Sequence, residues 1–132
     1  MKELIIFYIV TIIFLIIDVN GKYKTCIDNK PMKILPVIIL HRIIFVFMYL
    51  GWIFNNKIIL YGYLVFMLIL LIHWSMNNWK CCLTQYENSV CDFSKNSQYD
   101  ILLQNLSYKS KVFVSILTKI LLISLVIIKI MM

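Results

Sequence analysis

The sequence contains no alanine, a single arginine (Arg42), and few charges of either sign, 14% of its residues against roughly 25% in a soluble domain. It has no Gly-rich phosphate loop, no His-Glu-x-x-His, no serine nucleophile motif and no Cys-x-x-Cys. These absences remove the enzyme classes most readily legible in a sequence, so the reading leans away from an enzyme. A basic cluster or nucleic-acid motif is missing too, so a net charge of +7 does not point to nucleic acid. The bias toward isoleucine, lysine and asparagine fits an AT-rich coding sequence and carries no mechanism.

What is present is apolar surface. The 132 residues are 62% hydrophobic, with a mean hydropathy of +0.89. One core of this size cannot bury that much, whereas a bilayer can. The lysines sit between and beside the apolar runs, as they do in proteins that meet headgroups. The expectation is an all-α, integral, multi-pass membrane bundle: one domain over 1–132, with four transmembrane helices and one interfacial amphipathic helix. The bilayer is the expected partner, with itself or other membrane proteins as further partners and no nucleic acid.

The first apolar run, 4–17, is short for a span and has the length of a signal-peptide core. Extended to residue 19, with Lys2 and Asp18 snorkelling, it becomes an adequate signal-anchor, and we read it as retained. Cleavage near Val19-Asn20-Gly21 would leave three spans. Further spans are expected at 34–54, 58–75 and 112–130, with polar loops at 20–33 and 76–111. Pro36 falls in the first turn of the second span, where a missing N–H matters little. Asn55-Asn56-Lys57 is short enough to force an antiparallel hairpin. Tyr99, Leu102, Leu103 and Leu106 follow helical spacing, with Ser97 or Asp100 as caps, which predicts the interfacial helix.

Topology carries a conflict. Both long loops share one side, with Lys22, Lys24, Lys30, Lys33, Lys80, Lys95, Lys109 and Lys111, against Lys2, Lys57 and Lys129 opposite. The positive-inside rule places those loops in the cytosol. Yet Cys26, Cys81, Cys82 and Cys91 lie on the same side, which suits an oxidising compartment. Asn105-Leu106-Ser107 adds a glycosylation sequon there. The reading leans to loops outside, with Cys26 bridged to Cys81 or Cys82. A Cys81–Cys82 bridge is strained, because adjacent Cα atoms are about 3.8 Å apart.

His41, Arg42 and His73 are ionisable groups in or near spans, where such groups face partners or cavities. Counted from Asn56, His41 is 15 residues back and His73 is 17 ahead. On an antiparallel hairpin their heights agree within roughly 3 Å. Two level imidazoles suit haem, a metal or a proton relay, though hydrogen bonding to neighbouring helices is the commoner use. Thr84-x-x-Glu87 has capping-box spacing, and Glu87 is alternatively a carboxylate partner for Arg42 or a histidine. The expected cluster is thus His41, Arg42, His73 and Glu87, with no metal or cofactor in the leading reading and haem or metal at His41/His73 as the lesser one. Lys119 and Lys129 are expected to snorkel, or else to line a pore.

Leu40-His41 leading into Ile43-Ile44-Phe45-Val46, then Gly51-Trp52, His73-Trp74 and Cys81-x-Leu83-Thr84-x-x-Glu87-Asn88, resembles an uncharacterised family of small bacterial membrane proteins. That family carries a histidine in an early span and a Cys-Pro-Leu-Thr-x-x-Glu-Asn segment at a membrane edge. The resemblance covers about a third of the chain. It implies that His41, Cys81, Thr84 and Glu87 act as a unit. Cys82 stands where the family has proline, and Ser89-Val90-Cys91 replaces its following arginine.

In function the sequence favours a non-enzymatic structural or interaction protein. A redox-linked protein using the histidines or loop cysteines is the alternative, with a small channel or transporter subunit as a third.

Overall fold

The computed structural model describes residues 2–91 and 107–132. Among these the structure is helical, without strands: α1 (Lys2–Asn20), α2 (Lys24–Asn29), α3 (Pro31–Leu50), a 3-10 turn (Gly51–Ile53), α4 (Lys57–Met76), α5 (Cys82–Cys91) and α6 (Tyr108–Met131). Four helices, α1, α3 with its 3-10 turn, α4 and α6, are long and apolar enough to cross a membrane. Their outer faces expose large apolar side chains such as Ile9, Ile16, Leu68, Ile72, Leu117 and Leu121, as expected for lipid-facing surfaces.

The helix boundaries differ from the expected ones for local reasons. Pro31 starts α3, with its fixed φ suited to a first helical position. Pro36 therefore lies inside the helix rather than in its first turn, and one ladder hydrogen bond is missing there. The hairpin turn is Phe54–Asn56, since Lys57 already belongs to α4, and the Asn56 side chain accepts the Ile58 N–H at 2.9 Å. Ser107 caps α6 by accepting from the Ser110 N–H, which starts the helix ahead of residue 112.

The polar segment 20–33 is not all loop. It contains α2, held because Tyr23 and Cys26 are buried against Ile34 and Ile38 of α3. The segment 76–111 likewise contains α5. The amphipathic helix expected around Tyr99–Leu106, its caps Ser97 and Asp100, and the sequon at Asn105 lie outside the described residues.

Helix α3 is the hub, packing against α1, α2 and α5, while α4 packs on α6. The main core joins Met48, Leu60, Tyr63, Met67 and Val126. Tyr63 fits because Gly51 has no Cβ: one built there would clash with the Cδ2–Cε2 edge of the Tyr63 ring. The Tyr63 hydroxyl donates to the Met48 carbonyl at 2.7 Å. On the hairpin side, the Lys129 ammonium donates to the carbonyls of Trp52, Ile53 and Phe54 at 3.1, 3.2 and 2.9 Å. Those oxygens end a helix and have no helical partner. Lys129 therefore caps a neighbouring element rather than merely snorkelling.

Candidate functional site

Helix α5 runs back along the first half of α3 and is fastened at its far end. Cys91 is disulfide-bonded to Cys26, and the Lys30 ammonium donates to the Val90 carbonyl at 2.7 Å. The expected bridge from Cys26 to Cys81 or Cys82 is thus corrected: both of those thiols are free. The reason is direction. Folding α5 onto α3 carries Cys91 to the α2 end and leaves Cys81 and Cys82 at the other.

Glu87 faces inward from α5 and is only 1% exposed. Its carboxylate accepts from the Tyr23 hydroxyl at 2.5 Å and pairs with His41 Nδ1 at 2.7 Å. Burial pushes its pKa up, but the bonds to His41 and Tyr23 outweigh this and hold it below the usual carboxylate range. Burial and the Glu87 contact push the Tyr23 phenol the other way, upward, so it stays a donor. The capping-box expectation fails here. Helix α5 begins at Cys82 and the Cys81 carbonyl takes the Gln85 N–H, so Thr84 lies within the first turn and Glu87 points away from it.

The opposite edge of the imidazole faces a thiol. His41 Nε2 is 3.9 Å from Cys81 Sγ. Burial would raise the Cys81 pKa, but hydrogen bonds from His41 and from the backbone amides of Thr84 and Leu83 bring it down to about 7. Those amides are among the unpaired N–H groups that open α5. The chain reaches this position through a tight turn after α4, in which Asn78 and Trp79 have φ of 49° and 60°. Consecutive left-handed residues are uncommon, and tryptophan is a poor candidate for one. The turn folds Trp79 and Cys81 onto the bundle.

Arg42 does not join Glu87. It pairs with Asp18 of α1 and lies over the Phe45 ring, tying α1 to α3. His73 does not join either: its Nε2 is buried without a hydrogen-bond partner among the described residues. The expected His41–His73 pair is replaced by Glu87–His41–Cys81, because both His41 ring nitrogens face other groups. No three His, Cys, Asp or Glu side chains among the described residues form a metal-ligand group. Tyr23 was not anticipated, since nothing in a polar loop sequence distinguishes a tyrosine that folds back on a carboxylate 64 residues away.

A cavity of about 270 Å³ opens beside Cys81 and His41, between α3, α4 and α6. Its wall includes Phe45, Met48, Leu70 and Trp74, with Thr84, Ser115 and Lys119. Lys119 is 2% exposed and thus does not snorkel to the surface. Its ammonium donates to Ser115 Oγ at 2.6 Å and lies 4.2 Å from the Trp74 ring centroid. The site therefore combines a thiol of lowered pKa, an imidazole held by a buried carboxylate, and an adjoining apolar cavity. No known protein family, curated protein or solved structure matches this chain.

Proposed function

We propose that the chain is a multi-pass membrane protein, with its two longer connecting segments on the oxidising side, and that Cys81, His41 and Glu87 form a nucleophilic centre for acyl transfer at the membrane edge. The observation that carries this reading is the continuous chain from thiol to imidazole to buried carboxylate. Glu87 accepts a hydrogen bond from His41 Nδ1–H and so fixes the tautomer whose Nε2 lone pair faces Cys81. The thiol proton passes to Nε2, and the thiolate attacks the carbonyl carbon of an ester. A carbon–sulfur bond forms, the ester carbon–oxygen bond breaks, and the imidazolium returns its proton to the departing alkoxide. Water then attacks the acyl thioester with His41 taking its proton, releasing the carboxylic acid and the Cys81 thiol. No oxidant or reductant is required.

Two features favour acyl transfer over thiol–disulfide exchange. The thiol next to Cys81 is Cys82, too close along the chain for an unstrained bridge, and the neighbouring cavity is lined by apolar side chains suited to an acyl chain. A haem or metal role for His41 is disfavoured by its two engaged ring nitrogens. The resemblance to the bacterial membrane family supports the same unit, since His41, Cys81 and Glu87 are among the residues that carry it.

The test is acylation of purified full-length protein by p-nitrophenyl decanoate, with peptide mapping of the acyl group. A nitrophenol burst with the acyl group on Cys81, lost in Cys81→Ser and reduced at least tenfold in His41→Asn, is the expected result. No burst, together with iodoacetamide labelling of Cys81 no faster than Cys82 at pH 7, would return the cluster to a purely structural role in an interaction-type protein.

A further inference from the structure

Most polar side chains in the wall of the cavity beside Cys81 lie toward the loop side, Tyr49 being the exception. Along α3 its wall passes from His41 to Phe45 and Met48, over about 10 Å of helix, turning apolar away from the loop side. On α6 the Lys119 side chain bends back toward the polar end, where its ammonium donates to the Ser115 carbonyl at 3.1 Å and to Ser115 Oγ at 2.6 Å. That ammonium belongs to a side chain almost wholly buried, and it has no carboxylate partner among the described residues. Its remaining contact is the Trp74 ring face. The indole Nε1 of Trp74, which can only donate, is buried with no acceptor among the described residues. A buried cation without a counter-ion is unfavourable unless a ligand supplies the charge.

We propose that this cavity binds a single-chain carboxylate amphiphile, a fatty acid, with Lys119 as its counter-ion and the chain lying along the Phe45–Met48 wall. Lys119 lacks a counter-ion and Trp74 Nε1 lacks an acceptor among the described residues, so the complementary head is a negatively charged hydrogen-bond acceptor. A cavity of about 270 Å³ has the volume of one short acyl chain. The assignment deepens the acyl-transfer reading and rests on it for its purpose, since a fatty acid is what hydrolysis of an acylated Cys81 releases. Binding itself needs no reaction at Cys81.

The experiment uses the full chain carrying Trp52→Phe, in phosphatidylcholine nanodiscs at pH 8, with tryptophan quenching by bromodecanoic acid and by bromodecanol. The acid should quench saturably, with a half-saturating concentration at least tenfold below that of the alcohol, and plain decanoate should relieve the quenching. Lys119→Met should abolish the preference for the acid and Lys119→Arg should keep it. Equal quenching by acid and alcohol in the Lys119 protein overturns the proposal, and this comparison needs no variant at that position to fold. Relief by phosphatidylglycerol but not by decanoate also overturns it, assigning the site to a phospholipid headgroup. A Cys81→Ser protein that still prefers the acid, when native Cys81 takes no acyl group, leaves the cavity assignment standing and the acyl-transfer reading refuted. Acylation of Cys81 without any acid preference does the reverse.

Discussion

His41 makes two contacts that no neighbour can replace. Changing it to alanine removes a donor from the buried Glu87 carboxylate and the imidazole that faces the Cys81 thiol. Losing one hydrogen bond to a charged, buried partner costs about 1.5–3 kcal/mol, and thermal unfolding in detergent should report a loss of that size. The thiol gives a sharper readout. With its pKa at about 7, Cys81 alkylation should be near full rate above pH 8 and fall away as pH drops through 7. In His41→Ala the fall should begin at the ordinary thiol value of about 8.5. The sign follows from the lowered pKa: the folded protein favours the thiolate, so the stabilisation is present above the unfolded value and is lost as pH falls through about 7. An alkylation midpoint unchanged by the substitution would separate His41 from Cys81. Gly51 offers a different residue-scale test. Gly51→Ala drives a methyl against the edge of the Tyr63 ring, and overpacking of this kind costs about 1–3 kcal/mol. Equal melting temperatures for the two proteins would show that Tyr63 moves aside freely. Of these residues, His41 was legible in sequence as an ionisable group within an apolar run, whereas Cys81 and Glu87 stood out only through the spacing and the resemblance of the polar segment that carries them. Tyr23 and the Gly51–Tyr63 fit were not, because both depend on contacts between distant elements.

At the scale of elements, the long helices were legible because a run of apolar residues is its own signal, independent of what it packs against. The short ones were not. Helix α2 has six residues and α5 has ten, and helices this short are marginal alone. They exist through Tyr23 and Cys26 packing on α3, and through the Cys26–Cys91 bond, which joins cysteines 65 residues apart. That dependence makes a prediction. Removing the bond by Cys26→Ser with Cys91→Ser should cost about 2–4 kcal/mol in global stability. Its local effect should be larger at the Cys81 end. Helix α5 carries Glu87 and immediately follows Cys81, so releasing its far end should loosen both. Hydrogen exchange should rise across α5 before it rises in α3 or α4, and Cys81 alkylation should slow toward the rate of Cys82. Uniform exchange across the chain, with Cys81 unaffected, would mean that hydrogen bonding to Glu87 alone holds the strap.

For the whole molecule, two physical rules give opposite orientations, and the fold bears on which one prevails. The lysine excess on the side of the two longer segments favours the cytosol. Part of that excess is engaged within the protein: the Lys30 ammonium is bound to the Val90 carbonyl, and Lys22 lies near Glu87 and over the Tyr23 ring. A disulfide between Cys26 and Cys91 persists on an oxidising side and is uncommon on a reducing one. The bridge also fastens the helix that carries Glu87 to the His41 end of α3, so the proposed chemistry depends on the orientation. A cytosolic α5 would lose its staple. We therefore expect these segments to face the exterior or a lumen. Cys82 provides the measurement without any substitution, since it is free and exposed. A membrane-impermeant maleimide applied to intact cells should label Cys82, and peptide mapping without reduction should recover Cys26 joined to Cys91. A cysteine placed at Lys57, on the opposite side, should be labelled only after permeabilisation. Labelling of Cys82 that requires permeabilisation, together with Cys26 recovered as a free thiol, would restore the orientation the lysines favour and leave α5 held by hydrogen bonds and packing alone.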